Sequence, residues 1–153
     1  MEANAALLPA GFHMHMMLST MLAQVHIDAR RSDRALEILD ETLARVQRSG
    51  AHVEEPELRR LKAEVILKCD SSATAEAEAW YREAIAIARK QSSKWWELRA
   101  TVSLARLLRD NNRRAEARSM LADIYNWFTE GFDTADLKDA KALLEELSVT
   151  DRR

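Results

Sequence analysis

The fold of this chain is decided by a stretch that carries one pattern twice, ELRRLKAEVILKC at residues 57–69 and ELRATVSLARLLRD at residues 97–110. The tripeptide AEA follows the start of each copy, at 75–77 and again at 115–117, so both pieces recur at an offset of 40 residues. Repeats of about 20 to 50 residues are typical of stacked units that are each too small to bury their apolar face alone. The stretch therefore predicts helical hairpins that stack on one another.

The same pattern extends beyond the duplicated stretch. Ala35 and Leu39 align with Ala77 and Tyr81 at an offset of 42 residues, which adds a hairpin on the N-terminal side. Apolar residues recur every three or four positions, and Gly, Pro, Ser, Asp and Asn mark the expected helix ends. The expected helices run over about 12–30, 34–48, 56–69, 73–91, 94–110, 113–129 and 134–147.

Composition agrees with one folded domain over 11–149, with a flexible lead-in over 1–10 and a tail over 150–153. Hydrophobic residues make up 47% and charged residues 31% of the chain, a balance that excludes a disordered class. Only three Gly and two Pro interrupt it, so helix is favoured nearly throughout. The expected fold is all-α, a solenoid of three antiparallel helical hairpins with the seventh helix as a C-terminal cap.

Charge and cysteine content exclude several classes of partner and location. A formal charge of −2 provides no net positive field, so neither nucleic acid nor an anionic membrane surface is an expected partner. Residues 1–9 lack the basic start and long apolar core of a signal peptide, and no uncharged apolar run reaches the length of a membrane span. Cys69 is the single cysteine, which suits a reducing compartment, and we expect a cytoplasmic protein.

A short motif in the fourth expected helix points to a known repeat. Ala77, Tyr81 and Ala84 place a small, a large and a small side chain at a spacing that resembles the second-helix signature of tetratricopeptide repeats (TPR). Residues 117–124 keep this spacing with Ile at the last position. The resemblance implies a TPR-like solenoid, although the period of 40 to 42 residues exceeds the usual ~34. The residues at the Gly-like position of the family's first helix are Ala23, Val65 and Ala105.

A closer resemblance covers residues 57–147. The runs ELRRLKAE at 57–64 and YNWFTEGFDTADL at 125–137 are similar to the C-terminal TPR region of bacterial multidomain adenylate/guanylate cyclase or signal-transduction ATPase regulators. The chain has no G-x-x-x-x-G-K-[ST] phosphate loop, so the resemblance places any such activity in other domains. It implies a non-catalytic, regulatory module that binds a protein partner. The alternative is a small-molecule or effector-sensing domain that controls an ATPase or cyclase.

The first helices of the hairpins are expected to line the concave face of the solenoid. Reading positions by the repeat places five cations there: Arg59, Lys62, Arg99, Arg106 and Arg109. Arginine side chains suit carboxylates, so one hypothesis is a groove for an acidic peptide or a chain-terminal carboxylate. The alternative is a solvated face whose cations are balanced by nearby acids, among them Glu57, Glu64, Glu97 and Asp110.

The first helix is rich in methionine and is the second candidate interface. Met14, Met17 and Met21 are expected to form an open apolar face, which would suit a partner or a second copy of the chain. Trp95 is added as an exposed hot-spot candidate. His13 and His15 point to different faces of a helix, so no metal is predicted.

No catalytic arrangement or cofactor motif is visible in the sequence. There is no Ser-His-Asp order, no zinc-ligand spacing and no Gly-rich loop. Cys69 lies near the end of its helix, where the helix dipole disfavours a thiolate. The expected function is therefore binding, without an enzymatic activity or a cofactor.

Overall fold

The computed structural model describes residues 10–49 and 52–149, most of which lie in seven helices joined by turns. Side chains are described at 14, 17–49 and 52–149. The expected tail at 150–153 lies outside the described residues, as does the expected lead-in at 1–10 except for its last residue, Ala10, which begins the first helix. The described residues form α1 (Ala10–Asp28), α2 (Ser32–Ser49), α3 (Glu55–Cys69), α4 (Thr74–Lys90), α5 (Lys94–Asp110), α6 (Arg114–Tyr125) and α7 (Ala135–Val149). The expected all-α fold is confirmed. No described helix combines the length and the apolar character that crossing a membrane requires.

Three of the turns between helices close in the same way. The backbone takes a left-handed φ near +60° at one residue, and the following N–H donates to a carbonyl five residues back, which is the Schellman closure of a helix. Asn112 takes the left-handed conformation expected of it, with φ of 61°. Arg30 and Ser92 do the same without the advantage of Asn or Gly. The closing bonds are Arg31 to His26, Ser93 to Ala88 and Arg113 to Leu108.

The helices pack in an alternating order. Each helix contacts the next one along the chain, and α1, α3, α5 and α7 also contact one another in sequence, whereas the backbones of α2, α4 and α6 stay apart within the described residues. The odd-numbered helices run parallel, because Arg99 near the start of α5 pairs with Glu57 near the start of α3, and Arg109 near the end of α5 pairs with Glu146 near the end of α7. The odd-numbered helices therefore form one continuous layer.

Two of the even-numbered helices are linked by a ring of ion pairs. Arg82 of α4 lies 2.7 Å from Glu78 and 2.8 Å from Glu116 of α6. Arg113 closes the ring, at 2.7 Å from each of the same two carboxylates. Hydrogen bonds from the arginines hold the pKa of Glu78 below its usual value despite the opposing effect of burial, and they lower the pKa of Glu116 as well. The ring is surface-exposed, so it fixes the register of α4 and α6 more than it adds stability.

The buried side chains of the described residues form two hydrophobic clusters. One joins α1 and α2 to α3 through Leu58, Leu61 and Val65, and the other joins Ala63 of α3 to α4, α5, α6 and α7. Trp80 of α4 is half-buried and packs against both clusters. The small residues Ala77 and Ala117 are fully buried, as is Leu121, four positions after Ala117. Close helix contact at the small positions, with a large side chain one turn later, is the packing that the repeated spacing predicts.

The sixth helix ends earlier than expected, at Tyr125 rather than near Thr129. After Tyr125 the backbone bonds tighten from the α pattern, because Trp127 donates to Ile124 and Phe128 donates to Tyr125, each three residues back at 3.2 Å. Gly131 then takes a φ of +77°, which turns the chain into α7. The connection between α6 and α7 thereby places the ring of Phe128 against Trp95 at the start of α5.

Candidate functional site

The structure divides the five predicted cations into two groups. Lys62 of α3 points toward α2, where its Nζ lies 2.6 Å from Asp40 Oδ1. Arg59, also on α3, points toward α4 and pairs with Glu83. Both therefore lie in a groove between α2, α3 and α4, away from the side where α3 meets α5.

Trp80 forms the floor of this groove. Lys62 Nζ lies 4.3 Å and Arg59 Cζ 5.4 Å from the centre of the indole ring, within the range of cation–π attraction. Arg59 also donates to Glu55 Oε1 at 2.7 Å. The two cationic side chains are only 14% and 18% exposed, so each is held between an aromatic face and a carboxylate. The groove has a volume of about 200 Å³, and its charges are already balanced.

The second group lies on the layer of odd-numbered helices. Arg99 and Arg106 of α5 line a small cavity of about 120 Å³ together with Arg60 of α3. Arg60 is the residue that the sequence analysis missed, because successive helix residues lie about 100° apart and the reading chose Arg59 for this face. Its neighbour Glu57, three positions earlier on the same face, was the available signal. The remaining lining residues are Val102, Ser103, Asp136 and Asp139.

Glu57 is the centre of this second group. Its carboxylate accepts two hydrogen bonds from Arg60, at 2.8 and 2.9 Å, and lies 3.1 Å from Arg99 Nη1. Glu57 and Arg60 are both buried. Burial on its own lowers the pKa of the Arg60 guanidinium, but the hydrogen bond and the charge of Glu57 outweigh it and raise that pKa above its ordinary value. Glu57 therefore joins α3 to α5 by pairing with the buried Arg60 and with the partly exposed Arg99.

Helix α7 supplies carboxylates for the other predicted cations on α5, Arg106 and Arg109. Arg106 Nη2 lies 2.5 Å from Asp139, and Arg109 Nη1 lies 3.1 Å from Glu146. Arg99 also approaches Asp136, at 3.7 Å. Each of the five predicted cations thus has an intramolecular carboxylate partner. An acidic peptide would have to displace these partners. Because α7 is anchored by buried leucines, the carboxylates that it supplies to Arg99, Arg106 and Arg109 are held as part of the fold.

The outward face of α1 is the largest apolar surface on a described helix. Met14, Met17 and Met21 are 54%, 44% and 59% exposed, as their sequence pattern indicates. Three further side chains share this face, which we call the α1 stripe; its members are Met14, Met17, Leu18, Met21, Leu22 and Val25. The spacing of three and four residues places them in one row along the helix. An exposed apolar patch of this kind is a candidate interaction site.

The repeat itself shows what the α1 stripe is built to contact. Position 23 of α1 aligns with position 105 of α5, an offset of 82, so stripe positions 17, 18, 21 and 22 align with 99, 100, 103 and 104. In α5 this face packs on the preceding hairpin: Arg99 pairs with Glu57, Ser103 accepts from Arg60, and Leu104 is fully buried. No described helix precedes α1. The α1 stripe thus corresponds to the face by which α5 packs against a neighbouring helix.

Trp95 lies in an exposed aromatic cluster beside the α6–α7 connection. Its ring meets Phe128 edge-on at 6.1 Å between centroids, and Phe128 meets Trp127 at 5.2 Å. Trp95 is 37% exposed and Trp127 is 58% exposed. Phe128 packs against the core, while Trp127 and Phe132 are exposed to solvent. This cluster is a second apolar surface, smaller than the α1 stripe.

A buried carboxylate lies beside the aromatic cluster. Glu97 is 3% exposed, and it accepts hydrogen bonds from Arg89 Nε at 2.7 Å and from Lys94 Nζ at 2.8 Å. Burial on its own raises the pKa of Glu97, but the bonds from Lys94 and Arg89 outweigh it and lower the pKa below its ordinary value. The ionised Glu97 therefore joins the end of α4 to the start of α5 through its bonds to Arg89 and Lys94.

Replacing Glu97 by Gln should make the free energy of unfolding depend less on pH in the acid range. A carboxyl whose pKa is lower in the folded state contributes stability above its unfolded value, about 4.3, and loses that contribution as the pH falls through the folded value. The difference in unfolding free energy between pH 7 and about pH 3 should thus be smaller in Glu97→Gln than in the parent chain. Urea unfolding at the two pH values measures it. Glu76→Gln, on the exposed side of α4, is the control and should keep the parent difference.

Within 14, 17–49 and 52–149, no group of three His, Cys, Asp or Glu side chains is placed to hold a metal ion. Cys69 is exposed at the end of α3, and His13 and His15 fall outside the described side chains. Compared with protein-family models and with curated proteins, the chain gives no match. Candidate binding surfaces are therefore identified from the exposed side chains of the described residues, among which the α1 stripe holds the most large apolar ones.

Proposed function

We propose that this protein is a non-catalytic, TPR-like interaction module that binds a protein partner through the α1 stripe. The observation that carries the proposal is the exposure of six large apolar side chains in one row, on a helix whose counterpart α5 buries the same face against a helical neighbour. A desolvated apolar row with few charges is the usual core of a protein interface. The partner surface should accordingly be an apolar helix or helical pair.

The layered packing of the helices supports a solenoid as the scaffold. A TPR-like solenoid places its odd-numbered helices in contact along the inner side and spreads the even-numbered helices on the outer side, which is the order of contacts seen here. The resemblance to the C-terminal TPR region of bacterial cyclase or ATPase regulators would make the module a regulatory part of a signalling protein. In such a protein the rigid layer of ion pairs between α3, α5 and α7 would hold the stripe in a constant orientation.

The five predicted cations have a structural role in this proposal and are not its binding surface. Because its arginines and lysine already pair with carboxylates of the same chain, an acidic peptide gains little new charge pairing there. The alternative function, effector sensing, would use the open groove between α6 and α7. That groove has a volume of about 530 Å³, within the range of small-molecule sites, and is lined by Tyr125, Leu144 and Val149 among others.

Photo-crosslinking tests the proposed binding surface. A benzoylphenylalanine replaces Met21, in the centre of the α1 stripe, in the full chain expressed in bacterial cells. The control carries the same group at Ala86, an exposed position of α4. Irradiation should give discrete adducts from position 21 and none from position 86. If position 21 gives no more adduct than position 86, the stripe is not a binding surface and the proposed function is wrong.

A further inference from the structure

We propose that the occupant of the α1 stripe is a second copy of this chain, bound head to head so that the two α1 helices pack antiparallel about a twofold axis. The proposal rests on the proposed function, because it names the partner of the same surface. Three features of the chain lead to it: the absence of charge along α1, the different character of the opposite end of the helix stack, and the symmetry of the stripe.

The α1 helix carries no charge along the whole stripe. Between Ala10 and Ile27 there is no Asp, Glu, Lys or Arg, and the first charged residue of α1 is its last residue, Asp28. The inner face of the same helix is buried through Ala23 and Ile27, so α1 is apolar on both sides. A helix with apolar side chains on two faces is more stable when both faces are buried. A second α1 supplies an apolar surface of matching length and brings no charge that must lose its water.

The opposite end of the stack has a different character. The outward positions of α7 include the charged residues Lys138, Lys141, Glu145 and Glu146. An α1 stripe docked there would remove water from these charges, which is costly. Head-to-tail assembly into an open filament is therefore disfavoured. A head-to-head dimer buries the α1 stripe of both copies at once and closes the assembly.

The α1 stripe has the spacing that an antiparallel pair requires. Its six positions are separated by gaps of three, one, three, one and three residues, which read the same from either end. In an antiparallel pair centred on the stripe, every member faces another member. The facing pairs are Met14 with Val25, Met17 with Leu22 and Leu18 with Met21. Each pair except the first joins a flexible methionine to a leucine, and methionine adapts readily to an irregular apolar surface.

The size of the α1 stripe indicates a weak dimer. Six side chains, each about half exposed, form a patch on the order of a few hundred Å² on each copy, below the roughly 800 Å² per partner of a standard interface. We accordingly expect a reversible dimer with a dissociation constant on the order of micromolar. At submicromolar concentration the chain should be monomeric.

Sedimentation velocity of the purified full chain tests the dimer. The parent chain should shift from the 17.5 kDa monomer to twice that mass between about 0.5 and 200 µM. Val25→Glu introduces a charge at the α1 stripe and should stay monomeric throughout. Val149→Glu makes the same substitution at a still more exposed position, on α7, and should dimerise like the parent. A parent chain that stays monomeric at every concentration, or a Val25→Glu variant that dimerises as tightly as Val149→Glu, overturns the proposal.

Cysteine crosslinking tests the antiparallel arrangement in a Cys69→Ser background. Positions 14 and 25 are eleven residues apart, about 16 Å along the helix axis. In the proposed dimer a Met14→Cys chain should crosslink to a Val25→Cys chain, and neither should crosslink to itself. Self-crosslinking of each variant without mixed product would show a parallel pair and overturn the proposed geometry.

The outcomes separate this inference from the proposed function. Adducts from the photo-crosslinker at position 21 with twice the mass of the chain support the dimer. Adducts of another mass, together with a purified chain that is monomeric at every concentration, overturn the dimer and leave the binding surface in place. The absence of any adduct at position 21 contradicts the proposed function itself.

Discussion

Replacing Glu57 by Ala is expected to lower the free energy of unfolding by about 3 to 5 kcal/mol, the usual cost of breaking a buried ion pair. The Glu57 side chain is 8% exposed and the Arg60 side chain 11% exposed, and the two are joined by two hydrogen bonds. Removing the carboxylate leaves the Arg60 guanidinium in a desolvated site with only weaker contacts to Glu64 and Ser103. Arg99 loses its link to α3 as well. Urea unfolding followed by circular dichroism measures the loss.

An exposed carboxylate on α4 is the matched control for Glu57. Glu83 pairs with Arg59, but its side chain is 57% exposed, so Glu83→Ala should cost no more than about 1 kcal/mol. Adding Arg60→Met to Glu57→Ala removes the stranded cation and should restore part of the lost stability. A Glu57→Ala variant as stable as Glu83→Ala would show that the pair between α3 and α5 is not buried as described.

Replacing Leu121 by Ala is expected to lower the unfolding free energy by about 2 to 5 kcal/mol, because the side chain is fully buried and its removal leaves a cavity. Leu121 lies on α6 in the cluster that also contains Ala117, Leu108 and Leu143, so α5, α6 and α7 all lose contacts. The transition midpoint in urea should fall with little change in its slope, since the surface exposed on unfolding is nearly the same.

The same substitution on the α1 stripe provides the comparison for Leu121. Leu22 is 47% exposed in the single chain, so Leu22→Ala should change stability by less than about 0.5 kcal/mol at submicromolar concentration, where the chain is monomeric. Equal losses for the two variants would mean that α6 is not packed between α5 and α7. A large loss for Leu22→Ala alone would mean that the stripe is already covered within one chain.

The sequence predicts most of the local structure correctly for a simple reason. Helix ends depend on nearby residues, such as Asn112 in its left-handed turn, and the burial of Ala77 and Leu121 depends on a spacing that recurs. The one helix end that was misplaced by more than two residues, at Tyr125, adjoins the aromatic packing between the α6–α7 connection and Trp95. That contact joins residues more than thirty positions apart, so no local pattern could reveal it.

The candidate site was only partly predictable. Arg59 and Arg60 are adjacent, and the choice of which one faces α5 requires the rotation of α3 about its own axis. The pairing of Arg106 with Asp139 requires knowing that α7 runs parallel to α5. Both depend on how helices dock, which periodicity does not specify to within one residue.

The sequence by itself determined that the chain is all-helical, that its hairpins repeat, and that α1 carries an uncharged, methionine-rich row, because these depend on composition and spacing alone. Only the tertiary structure decided which charges meet and which apolar residues stay uncovered. The reason is physical: an ion pair or a covered face is a relation between two helices, and each helix holds only half of it. Thus the cations that the sequence marks as a binding row are paired within the chain, and the exposed row that remains is on α1.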